Sequence, residues 1–118
     1  MTVLPDLKSV LRVETLSRKP HKLPNGFYES VRSGIIDHER DLLAISGDEI
    51  KQYVDGKIIL ESYRSDLLSF LQRRLEKLSI LAIYGIGDSG TITEEEREFV
   101  SDLSLLFTRF MDHAEGKL

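Results

Sequence analysis

The chain contains no cysteine and no tryptophan, and its three prolines all fall within the first 24 residues. Without cysteine there is no disulfide, no catalytic thiol and no cysteine-bearing zinc or iron–sulfur site, which suits a reducing cytosol. With no proline after Pro24, every later segment is free to be helical. No apolar run approaches the ~20 residues needed to span a bilayer. Residues 1–10 lack the basic flank and apolar stretch of a signal peptide. These absences imply a protein with no membrane partner, cytoplasmic, or nuclear if its source is eukaryotic.

What is present is enough for a folded domain. At 118 residues, 41% hydrophobic and 31% charged, the chain is too apolar for disorder. A domain of this length buries roughly two-thirds of its unfolded surface. The net charge of −4 argues against DNA binding driven mainly by electrostatics. That charge is uneven. Lys8, Arg12, Arg18, Lys19 and Lys22 against Asp6 and Glu14 make residues 1–25 +3, and seven acids against Arg97, Arg109 and Lys117 make residues 94–118 −4. The two ends can attract one another, in one chain or between two.

Apolar spacing predicts a first helix over Asp6–Ser17, with Leu7, Val10 and Leu11 on one face. Residues 17–23 read as a basic, proline-bearing loop. A second helix is predicted within Gly26–Ile45, where Phe27, Val31, Ile35, His38, Leu42 and Ile45 fall in one arc, ending at Ser46-Gly47. Asp55-Gly56, between Tyr53-Val54 and Lys57-Ile58-Ile59, is a strong hairpin signal. Downstream, Leu60, Tyr63, Leu67, Phe70, Leu71, Leu75, Leu78, Leu81 and Ala82 keep a helical period, predicting one long helix over Lys57–Tyr84 that residues 48–56 could extend. After a loop over Gly85–Gly90, Thr93 and Glu96 form a capping box. The last helix, Glu94 to about His113, is predicted to bury Phe99, Val100, Leu103, Leu106, Phe107, Phe110 and Met111. The expected fold is therefore all-α, a bundle of four to five helices with one long central helix.

Candidate chemistry is sparse. Gly85–Gly90 spells G-x-G-x-x-G, but dinucleotide binding needs a strand–turn–helix within a βαβ unit, and the residues after Gly90 hold one capped helix. His38, flanked by Asp37 and Glu39, lies on an apolar stripe and reads as a packed histidine with one hydrogen bond; no Glu-x-x-His motif is present to build a di-metal site. His21 and His113 stand apart, and no Gly-x-Ser-x-Gly elbow exists. The expectation is no catalytic, cofactor or metal residue. Arg74 is the odd residue: it sits inside the apolar stripe of the long helix, which is costly without a carboxylate partner. Either it bridges within the chain, for instance to Glu14 or Asp6, or it marks a subunit contact. Leu23-Pro24-Asn25-Gly26-Phe27-Tyr28 sets a stiff turn that places Phe27 as a core staple and Tyr28 at the stripe edge.

Taken in order, the helix Leu7–Glu14, the Leu-Pro-x-x-Phe-Tyr of residues 23–28, the Arg-x-x-Lys-Leu-x-x-Leu-Ala of residues 74–82 and the capped Thr-Glu-Glu-Glu-Arg of residues 93–97 resemble the GINS family of replication proteins. Gly26 stands where the family usually has an acid, and Leu78 where it has isoleucine. The resemblance implies that residues 1–113 are a GINS-like helical domain, of the archaeal subunit type in which a small β domain follows, and that 114–118 begin a linker or tail. It implies a non-enzymatic scaffold without cofactors, assembling as a tetramer with itself or a sister subunit. The implied partners are the MCM replicative helicase and a DHH-type, nuclease-like protein. Leu23, Pro24, Phe27, Tyr28, Arg74, Lys77, Leu78 and Ala82 are then the motif or interface residues. A different class of reading is a helical regulatory module that contacts nucleic acid through Arg18-Lys19-Pro20-His21-Lys22, where salt dependence would discriminate.

Overall fold

The computed structural model describes residues 4–85 and 90–117. Four helices follow one another: α1 (Lys8–Leu16), α2 (Phe27–Leu43), α3 (Ile50–Tyr84) and α4 (Glu94–Ala114). Among the described residues there is no strand. The protein is all-α, with one long central helix.

Local chemistry explains most helix ends. Asp6 Oδ1 accepts from the Ser9 backbone N–H at 3.2 Å and so caps α1 from outside. This hydrogen bonding holds the exposed Asp6 carboxyl below its usual range. The Phe27 N–H reaches the Pro24 carbonyl at 3.1 Å, and Gly26 takes φ 65°, a left-handed turn open only to glycine at little cost. That requirement accounts for a glycine beside the aromatic pair. α3 ends on Gly85, at φ 66°, whose N–H reaches the Leu81 carbonyl at 3.0 Å. The first glycine of the G-x-G-x-x-G segment therefore terminates a helix. Residues 86–89, the middle of that segment, lie outside the described residues. At α4 the capping box is complete, with Glu96 N–H to Thr93 Oγ1 at 3.1 Å and Thr93 N–H to Glu96 Oε1 at 2.9 Å.

The Asp55-Gly56 pair does not turn. It lies inside α3, which starts at Ile50, so residues 50–56 extend the helix expected over Lys57–Tyr84. A lone glycine costs a helix only about 1 kcal/mol, and tertiary contact supplies more: the buried His38 donates from Nε2 to the Gly56 carbonyl at 3.0 Å. His38 is thus a packed residue with one hydrogen bond, and its Nδ1 has no partner.

The chain forms two compact units, Met1–Arg12 with Pro24–Phe70, and Val13–Leu23 with Leu71–Leu118. In the first, Leu7, Phe27, Val31, Leu42, Leu60, Tyr63 and Phe70 are buried. Phe27 meets Phe70 and Tyr28 edge to face, each with ring centroids 5.2 Å apart, so it is the staple expected of it. Arg64, near the edge of the α3 stripe, pairs with Glu39 of α2. In the second unit Leu23, Leu78 and Ala82 are buried together with the charged residues Glu14, Arg74 and Glu96.

Candidate interaction surface

The second unit is organised around a buried cation. Arg74 projects from the inward stripe of α3 and is fully buried. All three of its guanidinium nitrogens donate. Nε and Nη2 hold Glu96 in a fork, at 2.7 Å to Oε2 and 2.8 Å to Oε1. Nη1 reaches Glu14 Oε1 at 3.0 Å and the His21 carbonyl at 2.7 Å, and Nη2 also reaches the Thr91 carbonyl at 3.0 Å. Lys77, one turn further along α3, donates to the Glu14 backbone carbonyl and lies 3.4 Å from Glu14 Oε1. His21 Nδ1 donates to Glu14 Oε2. Two carboxylates thus face two formal cations, and the pocket is closed by backbone carbonyls of the loop after α1 and the turn before α4.

The energetics follow from this balance. Burial alone pulls the Arg74 pKa down, but the hydrogen bonds and charge of Glu96, then of Glu14, overcome that and hold it above its ordinary value. Arg74 is permanently charged. Its role is the intrachain bridge; Glu14 is one of the two partners named from sequence, and Asp6 is not involved. Sequence reasoning missed Glu96 as a partner because its spacing from Thr93 already gave it a cap. In the structure one side chain does both, with Oε1 taking the Thr93 N–H and an Arg74 Nη2–H.

The eight motif residues have defined places. Leu23, Phe27, Arg74, Leu78 and Ala82 are buried, Tyr28 and Lys77 are half-buried, and Pro24 is exposed but supplies a carbonyl to the turn. Arg74 and Lys77 are brought together on Glu14, and Phe27 and Tyr28 meet at their rings. In the basic loop, Pro20 is buried and His21 is committed to Glu14, which leaves Arg18, Lys19 and Lys22 as the exposed cations.

The exposed apolar surface lies elsewhere, and here the sequence-based expectation for α4 fails. None of its seven predicted core residues is buried: Val100, Leu103 and Phe107 are half-buried, and Phe99, Leu106, Phe110 and Met111 are exposed, Phe110 by 69%. Its single buried residue is Glu96. The seven positions span roughly 140° of the helix at 100° per residue, and the inward contact covers only the sector of Val100, Leu103 and Phe107. Phe99, Leu106 and Phe110, spaced i, i+7 and i+11, form an apolar ridge along the flank. On α3, Ile80 and Ile83 are exposed opposite the inward stripe, and Leu75, expected inside, is exposed by 39%.

Among the described residues no three histidine, aspartate or glutamate side chains gather as a metal site would require, and no helix is long and apolar enough to cross a membrane. Compared with family models, with curated proteins and with solved structures, the chain matches none.

Proposed function

We propose that this chain is a non-enzymatic scaffold subunit, similar to the helical domain of the GINS replication proteins, which assembles by helix packing with copies of itself or a sister subunit and supports an MCM-type helicase in DNA replication. The observation that carries the reading is the ridge of Phe99, Leu106 and Phe110, together with Ile80 and Ile83. Large apolar side chains repeated along one flank of a helix are the material of a subunit interface, whereas a monomer keeps its exposed apolar residues scattered. The buried ion network adds rigidity. It fixes the first turn of α4 to α3 through Arg74 and Glu96, so the ridge is presented on a pre-organised helix, and little ordering entropy is spent on association. The resemblance of residues 7–107 to the GINS pattern supplies the replication context.

Light scattering tests the assembly directly. At about 100 μM, where even micromolar association saturates, the expected mass is a multiple of 13.5 kDa. Leu106→Glu with Phe110→Glu should return it to the monomer with an unchanged melting temperature. A wild-type chain that remains monomeric, alone and with a sister GINS subunit, refutes assembly by this face. Co-elution with an MCM ring tests the replication role.

A further inference from the structure

We propose that the first unit carries a second, separate docking site: the groove between the segment Leu4–Lys8 and α3, which receives a basic amphipathic segment of a partner protein. This goes beyond the assembly role, because it uses neither α4 nor the second unit. The groove has a volume of about 470 Å³. Leu4, Pro5, Ile58 and Ile59 give it apolar walls, and the two isoleucines are 58% and 50% exposed.

Charge decides what kind of apolar segment fits. Asp6 on one wall and Asp66 on the other are acidic, and Lys8 is the one cation of the lining, so the groove is net negative. Among the described residues no salt bridge engages any of the three. Asp6 is held ionised by its hydrogen bonds to Ser9. An acidic partner would be repelled and a purely apolar one would leave both carboxylates to be desolvated without compensation. A segment with leucine-like side chains and a lysine or arginine one turn away satisfies both demands.

Tyr63, which lines the groove, is 92% buried by the complement of its 8% exposure, and its hydroxyl has no hydrogen-bond partner. Asp6 lines the same groove as Tyr63. A buried hydroxyl without a partner is a cost to the fold.

The test is an NMR titration of the full chain with a synthetic amphipathic helix bearing two leucines and flanking lysines, alongside the same peptide with glutamate for lysine. The expected result is saturable shifts confined to residues 4–8 and 58–66, at least roughly tenfold weaker binding of the glutamate peptide, and weakening with salt. Asp66→Asn should weaken the lysine peptide several-fold; it is preferred to Asp6→Asn because Asp6 also caps α1. Equal binding of the two peptides, shifts that map to α4, or an Asp66→Asn chain that binds as wild type would overturn the proposal. So would shifts in the groove that grow with protein concentration alone, which would assign it to a second copy.

Discussion

Replacing Arg74 by alanine removes one side chain and strands two. The guanidinium holds Glu96 by two hydrogen bonds and Glu14 through Nη1, and both carboxylates are buried, Glu14 completely. After the change Glu14 keeps Lys77 and His21, and Glu96 keeps the Thr93 N–H. Breaking a buried ion pair from one side typically costs about 3–5 kcal/mol, most of it the desolvation of the abandoned charge. For a domain of this length, at roughly 4 °C per kcal/mol, the melting temperature should fall by about 12–20 °C. Circular dichroism melts and guanidinium titration measure this, and light scattering on the same samples should show no change in assembly until the protein unfolds. The cost should shrink in the double variant Arg74→Met, Glu96→Gln, since Glu96 then carries no stranded charge, Glu14 keeps Lys77, and glutamine preserves the capping box. Alkali should not imitate the mutation. With its pKa raised in the fold, Arg74 contributes fully below the ordinary arginine value of the unfolded chain and loses that contribution only as pH rises through the still higher folded value. An Arg74→Ala chain within about 1 kcal/mol of wild type, or one that dissociates while each bundle stays folded, would refute the reasoning.

Three further outcomes are expected. Thr93→Ala removes the side-chain half of the α4 capping box and should cost about 1 kcal/mol by denaturant titration. Gly34→Ala puts a Cβ 2.8 Å from Pro5 Cδ, a ring atom that cannot swing away, so the backbone must shift and the loss should be about 1–3 kcal/mol. Tyr63→Phe should be neutral or stabilising by up to about 1 kcal/mol at neutral pH, because its buried hydroxyl has no partner to lose. Burial, then the charge of Asp6, raises the Tyr63 pKa, so the fold holds the phenolic proton more tightly than the unfolded chain does. Wild-type stability should therefore decline as pH rises past the unfolded value of 10.0, and the phenylalanine variant should lack that share of the decline.

Much of the helical layout was legible because it rests on local rules. The capping box at Thr93–Glu96, the period from Leu60 to Ala82 and the glycine after Tyr84 each act within a few residues of themselves. The start of the long helix around the Asp55-Gly56 pair is left open by sequence for the complementary reason. The pair's turn preference is local, but His38, eighteen residues earlier in the chain, donates to the Gly56 carbonyl within the helix.

By itself the sequence determined that the chain is helical, where its last helix begins, and that Arg74 must find a carboxylate, since an arginine within an apolar stripe is intolerable alone. Only the tertiary structure decided which carboxylates answer it. Glu14 is sixty residues away from Arg74 and Glu96 twenty-two, and no local rule ties either to Arg74. It also decided that the ridge of Phe99, Leu106 and Phe110 faces out. Periodicity states which residues share a side of a helix, but whether that side is covered depends on what the rest of the chain brings against it.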